Sequence, residues 1–399
     1  MKPISLVKLV GIFIIACLTL AQFKIQASPG PDYIRAIVWN STGDQIGIAT
    51  ENGTIHILDT SGQVVRSLQN SGGGVYALAW SPDGTKLASG EADKTVKVWN
   101  VTTGQVSLTF SGHTASILSV AWSSNSAKIA SASYEETSQN VRVWDAATGQ
   151  QLRAIPAGEA PALAWSPDGR QLAVSQFQRL EIWDTATGQS VKQIKTPEYG
   201  LFIAWSPDGT RIASADSYVP EQSVIRIWNV NMGQLDKTLK GYTNVILSVA
   251  WSPDGTKLAS TGHDHTLRIW DATAGQSLTV VQASDSVFKA AWGPFGGRLA
   301  YGDVTTQNAT STANVAATPG TFTNAGFHFI VPPTTLSDLQ AIAHKCIARS
   351  DVLDTLTPNL NANQLGPFVD KVKGLSNQHV GPGCATDLIA VANALQKKP

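Results

Sequence analysis

The sequence predicts an all-β architecture of seven repeated four-stranded units followed by a small α-helical domain. The first observation behind this is a recurring phrase. AWSPDGTKLAS runs from Ala79 to Ser89 and returns letter for letter from Ala250 to Ser260, with variants starting at Ala121, Ala164 and Ala204 and weaker ones at Val38 and Ala291. Its tryptophans, Trp39, Trp80, Trp122, Trp165, Trp205, Trp251 and Trp292, fall 40 to 46 residues apart, the period of a four-stranded blade or of a helical solenoid unit. The second observation, the turn chemistry, decides for strands. SPDG places Pro at the second position of a type I turn and Gly where a left-handed residue is wanted, which makes a hairpin.

A second turn signal follows in five of the repeats. TVKVWN, NVRVWD, RLEIWD, VIRIWN and TLRIWD supply Trp99, Trp144, Trp183, Trp228 and Trp270, and each closes on a turn ending in Gly-Gln, as in WDAATGQ from Trp144 to Gln150. Two hairpins per period make four short strands. In the third strand Val96 and Val98 share one face while Lys97 and Trp99 share the other. Both faces are largely apolar, as a sheet stacked between two others requires, and the Lys97 amine is expected to reach water.

Through W-S-P-D-G, the L-A-S strand and the W-D-x-x-T-G-Q ending, the chain resembles the WD-repeat β-propeller family, in an exported bacterial form, from about Tyr33 to Asp303. The resemblance implies a seven-bladed β-propeller of four-stranded antiparallel blades, with two connections per blade on the top face of the disc. It also implies a tetrad of His, Ser or Thr, Asp and third-strand Trp. The third repeat has His113, Ser131 and Trp144 but reads YEETSQN where the Asp belongs. The sixth has Ser260, Asp264 and Trp270 with Tyr242 in place of His; the second has Ser89, Asp93 and Trp99 with SGGG, Ser71 to Gly74, instead. No blade is expected to hold a full network, so burial of each tryptophan, about 1.5 to 3 kcal/mol, is the expected support.

Only Ser28 to Asp32 lie between the leader and the first repeat strand, too few for an N-terminal outer strand. The seventh blade is therefore expected to take its outer strands from TSTANVAA and TFTNAGFHFIV. The propeller is assigned to residues 28–332. Residues 1–27 read as a signal peptide or N-terminal anchor: Lys2 and Lys8 precede the apolar run Leu9 to Ala21, and IQA offers a cleavage site before Ser28. That run is short of the roughly 20 residues of a membrane span, so export is expected, with lipidation at Cys17 an alternative and no span unless the leader is retained.

After Pro332 and Pro333 the period changes to helical, and residues 333–399 read as a small three-helix domain. Leu336, Leu339, Ala343, Cys346 and Ile347 share one face, as do Leu365, Phe368, Val369 and Val372, and again Leu388, Ile389, Ala392 and Leu395. The stretch from Leu365 to Leu395 is faintly similar to C-terminal modules of exported bacterial proteins. Cys346 and Cys384 are an even pair in an oxidising compartment and are expected to form a disulfide worth roughly 4 kcal/mol.

Lys plus Arg and Asp plus Glu both number 29, so no basic excess exists to neutralise phosphates and nucleic acid is not an expected partner. The chain lacks a G-x-S-x-G elbow, a Walker loop, an H-E-x-x-H pair and a dinucleotide turn, and no catalytic residue, cofactor or metal is expected. HDH, His263 to His265, reads as loop histidines flanking Asp264 rather than as ligands, and Glu135 with Glu136 as a solvated loop edge. Loops before the third strand are lengthened at Ser133 to Asn140 and Asp216 to Ser223. They and neighbouring loops carry Tyr134, Glu136, Phe177, Tyr199, Tyr218 and Tyr242, the expected partner-binding residues of the top face, although Tyr242 also falls at a missing His position. The expected function is a non-enzymatic, exported scaffold that binds protein. A carbohydrate-binding surface module and a propeller enzyme with a central-channel site are the alternatives.

Overall fold

The computed structural model describes residues 34–70, 72–135, 140–157, 162–197, 200–216, 223–283, 286–303, 326–331, 338–340, 342–343, 365–375 and 380–396. The chain is a seven-bladed β-propeller of four-stranded antiparallel sheets, with helices near the C-terminus. Six sheets, at 34–69, 75–110, 117–155, 163–195, 200–240 and 246–282, each run in sequence order from an inner to an outer strand. The fifth of these begins at its inner strand, Gly200–Trp205. Blade seven has three strands among the described residues: Val287–Trp292, Leu299–Asp303 and Gly326–Ile330. The expected segment TFTNAGFHFIV thus supplies the third strand of blade seven, and TSTANVAA lies outside the described residues.

Burial follows each strand's place between sheets. Second strands such as Lys86–Glu91 are buried from their second residue onward, because both faces meet a neighbouring blade. Outer strands such as Val64–Gln69 are mostly exposed. The SPDG turns hold their shape through side chains: Ser81 Oγ accepts the Lys86 N–H at 2.9 Å and donates to Asp83 Oδ1 at 2.6 Å. Asp83 Oδ1 in turn accepts the Thr85 N–H, and Gly84 sits at φ +73°, where a side chain would be strained.

The repeated first tryptophan ties one blade to the one before. Trp80 Nε1 donates to the Val38 carbonyl at 3.2 Å, Trp122 to Ala79 at 3.0 Å, Trp165 to Ala121 at 3.1 Å, Trp251 to Ala204 at 3.1 Å and Trp292 to Ala250 at 3.2 Å. Trp39 completes the circuit by donating to Ala291 of blade seven at 3.0 Å. The Trp205 indole N–H is buried without a hydrogen-bond partner. Among the described residues, blades one and seven close the ring by packing face to face, with no strand exchanged between them.

The helical piece sits against this seam. Helix α1 (Leu365–Leu375) and helix α2 (Pro382–Gln396) pack with helical residues 338–340 and 342–343 around Leu339, Leu365, Phe368, Val372 and Leu388. Leu365, Phe368, Val369 and Val372 are all buried, as their 3.6-residue period requires. Phe295 of blade seven packs on the same core. Cys384 is buried there, and Cys346, its expected disulfide partner, lies outside the described residues.

Asp387 of α2 accepts from Arg298 Nε at 2.6 Å and from the Gly297 N–H at 3.2 Å. The Arg298 guanidinium also lies over the Trp39 ring at 4.7 Å and donates to the Gly43 carbonyl at 3.4 Å, so one buried cation touches blade seven, blade one and the helix. Gly383 is so close to blade one that a Cβ there would lie 2.1 Å from the Thr42 carbonyl oxygen. No helix among the described residues is long and apolar enough to cross a membrane.

Candidate functional site

The connections from second to third strand, and from each blade to the next, gather at one end of the ring, and in most blades that carry a third-strand tryptophan a polar network lies under them. Blade three holds a complete one, contrary to the sequence expectation. His113 Nε2 lies 2.7 Å from Ser131 Oγ, which accepts the Trp144 indole N–H at 2.8 Å. Glu135 occupies the acidic position: its Oε1 is 2.6 Å from His113 Nδ1 and accepts from Ser133 Oγ at 2.6 Å and the Thr114 N–H at 3.1 Å. Glu135 is therefore a buried network member, 3% exposed, and not a solvated loop edge. The longer glutamate reaches the site from a lengthened loop, which explains why a search for Asp at the usual offset missed it.

Blade six solves the same problem without His. Tyr242 is buried, its hydroxyl 2.7 Å from Ser260 Oγ, and Ser260 also accepts the Trp270 indole at 2.7 Å. Tyr242 thus supports its own blade instead of standing on the surface as a partner-binding aromatic. Gly262 makes the room, since a Cβ there would lie 2.7 Å from the Tyr242 ring. Gly262→Ala should destabilise the chain by about 1 to 3 kcal/mol through overpacking, read as a lowered urea midpoint; an unchanged midpoint would contradict this packing.

In blade two, Trp99 donates to Ser89 Oγ at 2.8 Å and Ser89 to Glu91 Oε1 at 2.8 Å. Glu91, fully buried, ion-pairs with Lys97, whose amine also meets Asp93 at 3.1 Å. The Lys97 amine therefore ends in a carboxylate pair and not in water, and Asp93 serves the turn by accepting the Thr95 N–H at 3.0 Å. Asp264 does likewise for Thr266 and lies 3.4 Å from Arg268. In blade five Trp228 donates to Ser214 at 2.9 Å and Arg226 ion-pairs with Asp216. Blade four is the exception: Val174 takes the serine position, and the buried Trp183 indole N–H has no hydrogen-bond partner.

The electrostatics of blade three follow from its burial. Burial first, and Arg142 in addition, lower the His113 pKa to about 4 against the pull of Glu135. Burial raises Glu135, but hydrogen bonds from Ser133, His113 and Thr114 outweigh it and bring it to about 2. The unfolded chain binds protons more readily at both sites, so this blade loses stability as pH falls from 6.5 through 4 for His113, and from 4.5 toward 2 for Glu135. Urea midpoints measured from pH 7.5 to 4 should fall by an amount equivalent to about 2 to 3 kcal/mol from His113, and His113→Gln should flatten that slope. An equal slope in the variant would contradict the assignment.

On this scaffold Phe177 is 47% exposed and Tyr134, next to the anchored Glu135, is half-buried. Glu136, Tyr199 and Tyr218 lie outside the described residues. His263 Nδ1 is 3.0 Å from Ser286 Oγ, and its ring meets Phe288 edge-on at 5.7 Å. Among the described residues no group of three or more His, Cys, Asp or Glu could hold a metal ion.

Comparison with known proteins matches this chain in pieces. The family described as "Anaphase-promoting complex subunit 4 WD40 domain" matches residues 37–125, "Eukaryotic translation initiation factor eIF2A" matches residues 116–240, and "WD domain, G-beta repeat" matches residues 233–271. The chain is 36% identical to "WD repeat-containing protein 1" of Bos taurus over 84 residues, 20% of this chain and 14% of that protein. It is 26% identical to "WD repeat-containing protein slp1" of Schizosaccharomyces pombe over 223 residues, 53% of this chain and 44% of that protein. It is 32% identical to "Actin-interacting protein 1" of Drosophila melanogaster over 83 residues, 20% of this chain and 14% of that protein. The aligned parts thus span less than half the length of each relative. These matches support the WD-repeat resemblance; the relatives are eukaryotic, and they lend no support to an exported bacterial form.

Proposed function

We propose that this chain is a non-enzymatic scaffold that binds protein through the top face of its propeller. The observation that carries the reading is Phe177, a large aromatic left 47% exposed on a rigid turn between two buried strands, on the same face as Tyr134. An exposed ring whose backbone is already ordered can bury area on binding at little entropic cost, which is how interface anchors act. The relative named Actin-interacting protein 1 is consistent with protein binding as a use of this fold. Export of the chain, with Cys346 as the disulfide partner of Cys384, belongs to the same reading.

The combined substitution Tyr134→Ala, Phe177→Ala and Tyr218→Ala should weaken capture of a protein partner by about 2 kcal/mol or more, with little change in melting temperature. Wild-type affinity in the triple variant would remove these rings from the interface. Capture of glycans with no protein would replace the scaffold reading with a carbohydrate-binding one. Non-reduced peptide mapping should yield Cys346 linked to Cys384, and two free thiols in protein from its natural compartment would contradict the bridge.

A further inference from the structure

The seven inner strands contact one another in a closed ring, and near its top end most of them carry a β-bulge. A bulge leaves one residue out of the ladder and re-aims its side chain, and here the extra residues include Arg35, Tyr76, Leu247 and Phe288, all half-buried at the channel mouth. Beside Phe288, Lys289 reaches past blade six. Its amine lies 4.2 Å from the centre of the Phe202 ring in blade five and 3.4 Å from the Leu247 carbonyl.

The charges of this mouth do not balance. Arg35 is paired with Glu51 at 2.9 Å, so that pair contributes no net charge. Lys289 makes no ion pair among the described residues, and burial first, then the nearby Arg35, bring its pKa down to about 8. Three other cations of the blades meet an acid, Lys97 with Glu91, Arg226 with Asp216 and Arg298 with Asp387, whereas Arg211 meets carbonyls and the Trp251 ring. A half-buried ammonium against the Phe202 ring, with no counter-charge among the described residues, is an incomplete ion pair, and a ligand carboxylate would complete it.

We propose that the channel mouth is a binding site for a single peptide carboxylate, held by Lys289 with Arg35 behind it, and with its neighbouring apolar group against Phe202 and Phe288. One uncompensated charge matches one carboxylate, and the rings suit an aromatic or aliphatic neighbour. This deepens the top-face reading and rests on it for the partner being a protein.

The test uses the full chain with 13C-labelled lysine and three blocked peptides: acetyl-Ala-Phe with a free C-terminus, its amide, and acetyl-Phe-Glu-amide. Binding of a carboxylate should saturate the Lys289 resonance and raise its titration midpoint by about one unit, equivalent to about tenfold tighter binding to the protonated amine. Arg35, Glu51, Tyr76 and His263 also titrate or carry charge at this mouth, so the midpoint is read at the Lys289 ε-carbon itself. The free acid responding alone assigns the site to a chain terminus, and the glutamyl peptide responding alone assigns it to an acidic side chain. Lys289→Met should weaken the responding peptide at least about tenfold at an unchanged melting temperature. A response to the uncharged amide as large as that to the responding acid, no saturation by any peptide at about 10 mM, or undiminished binding to Lys289→Met would overturn the proposal. If the peptide binds while the triple loop variant still captures its partner, the loop reading falls and this site stands; the reverse pattern sinks this site alone.

Discussion

Asp387→Ala should destabilise the chain by about 3 to 5 kcal/mol, because it strands the buried Arg298 guanidinium between two blades and a helix without its counter-charge. Burial pushes the Asp387 carboxyl up despite Arg298, which marks the site as one where desolvation is costly and the pair must stay whole. Urea unfolding followed at the tryptophans would measure the loss. The double change Arg298→Met with Asp387→Leu should recover most of it, since neither charge is then left buried. If Asp387→Ala leaves the midpoint unmoved, the helical segment does not secure the seam. Gly383→Ala tests the same contact by steric means: its Cβ would fall on backbone atoms of Thr42 and Gly43, so α2 must shift off blade one.

Trp270→Ala should cost about 3 to 5 kcal/mol by opening a cavity in blade six, where the ring is 2% exposed and tied to Ser260. Tyr242→Phe removes only the hydroxyl contact with the same serine and should cost about 0.5 to 1.5 kcal/mol. The two share Ser260, so their combined loss should fall short of the sum, a non-additivity that equilibrium unfolding of the single and double variants can resolve. Strict additivity would mean that the tyrosine and the tryptophan do not belong to one network.

The ring was legible because its signals are local and repeated. Trp80 and Trp99 each recur with a turn of fixed chemistry, so period and hairpin could be read without any tertiary knowledge. The faces of α1 were legible for the same reason, Leu365, Phe368, Val369 and Val372 following the helical period. What stayed hidden depends on partners distant in sequence or on substituted residue types. Glu135 replaces a shorter acid from within a longer loop, and Tyr242 replaces a histidine with help from Gly262, neither of which a spacing rule can see. Arg298 and Asp387 lie 89 residues apart, one at the end of a hairpin turn and the other on a helix, and no local pattern links them. Lys289 reads in sequence as an ordinary strand lysine; only the bulge beside it and the Phe202 ring across the channel mouth set it apart.

The central claim is that protein partners meet the top of the ring. A photo-crosslinking amino acid placed singly at Phe177 on that face, at Val106 on an outer strand and at Thr103 on the opposite face tests it most directly. The account predicts a partner crosslinked from position 177 and displaced by unlabelled protein, with none from 106 or 103. Crosslinks from 106 or 103 in the absence of any from 177 would contradict it.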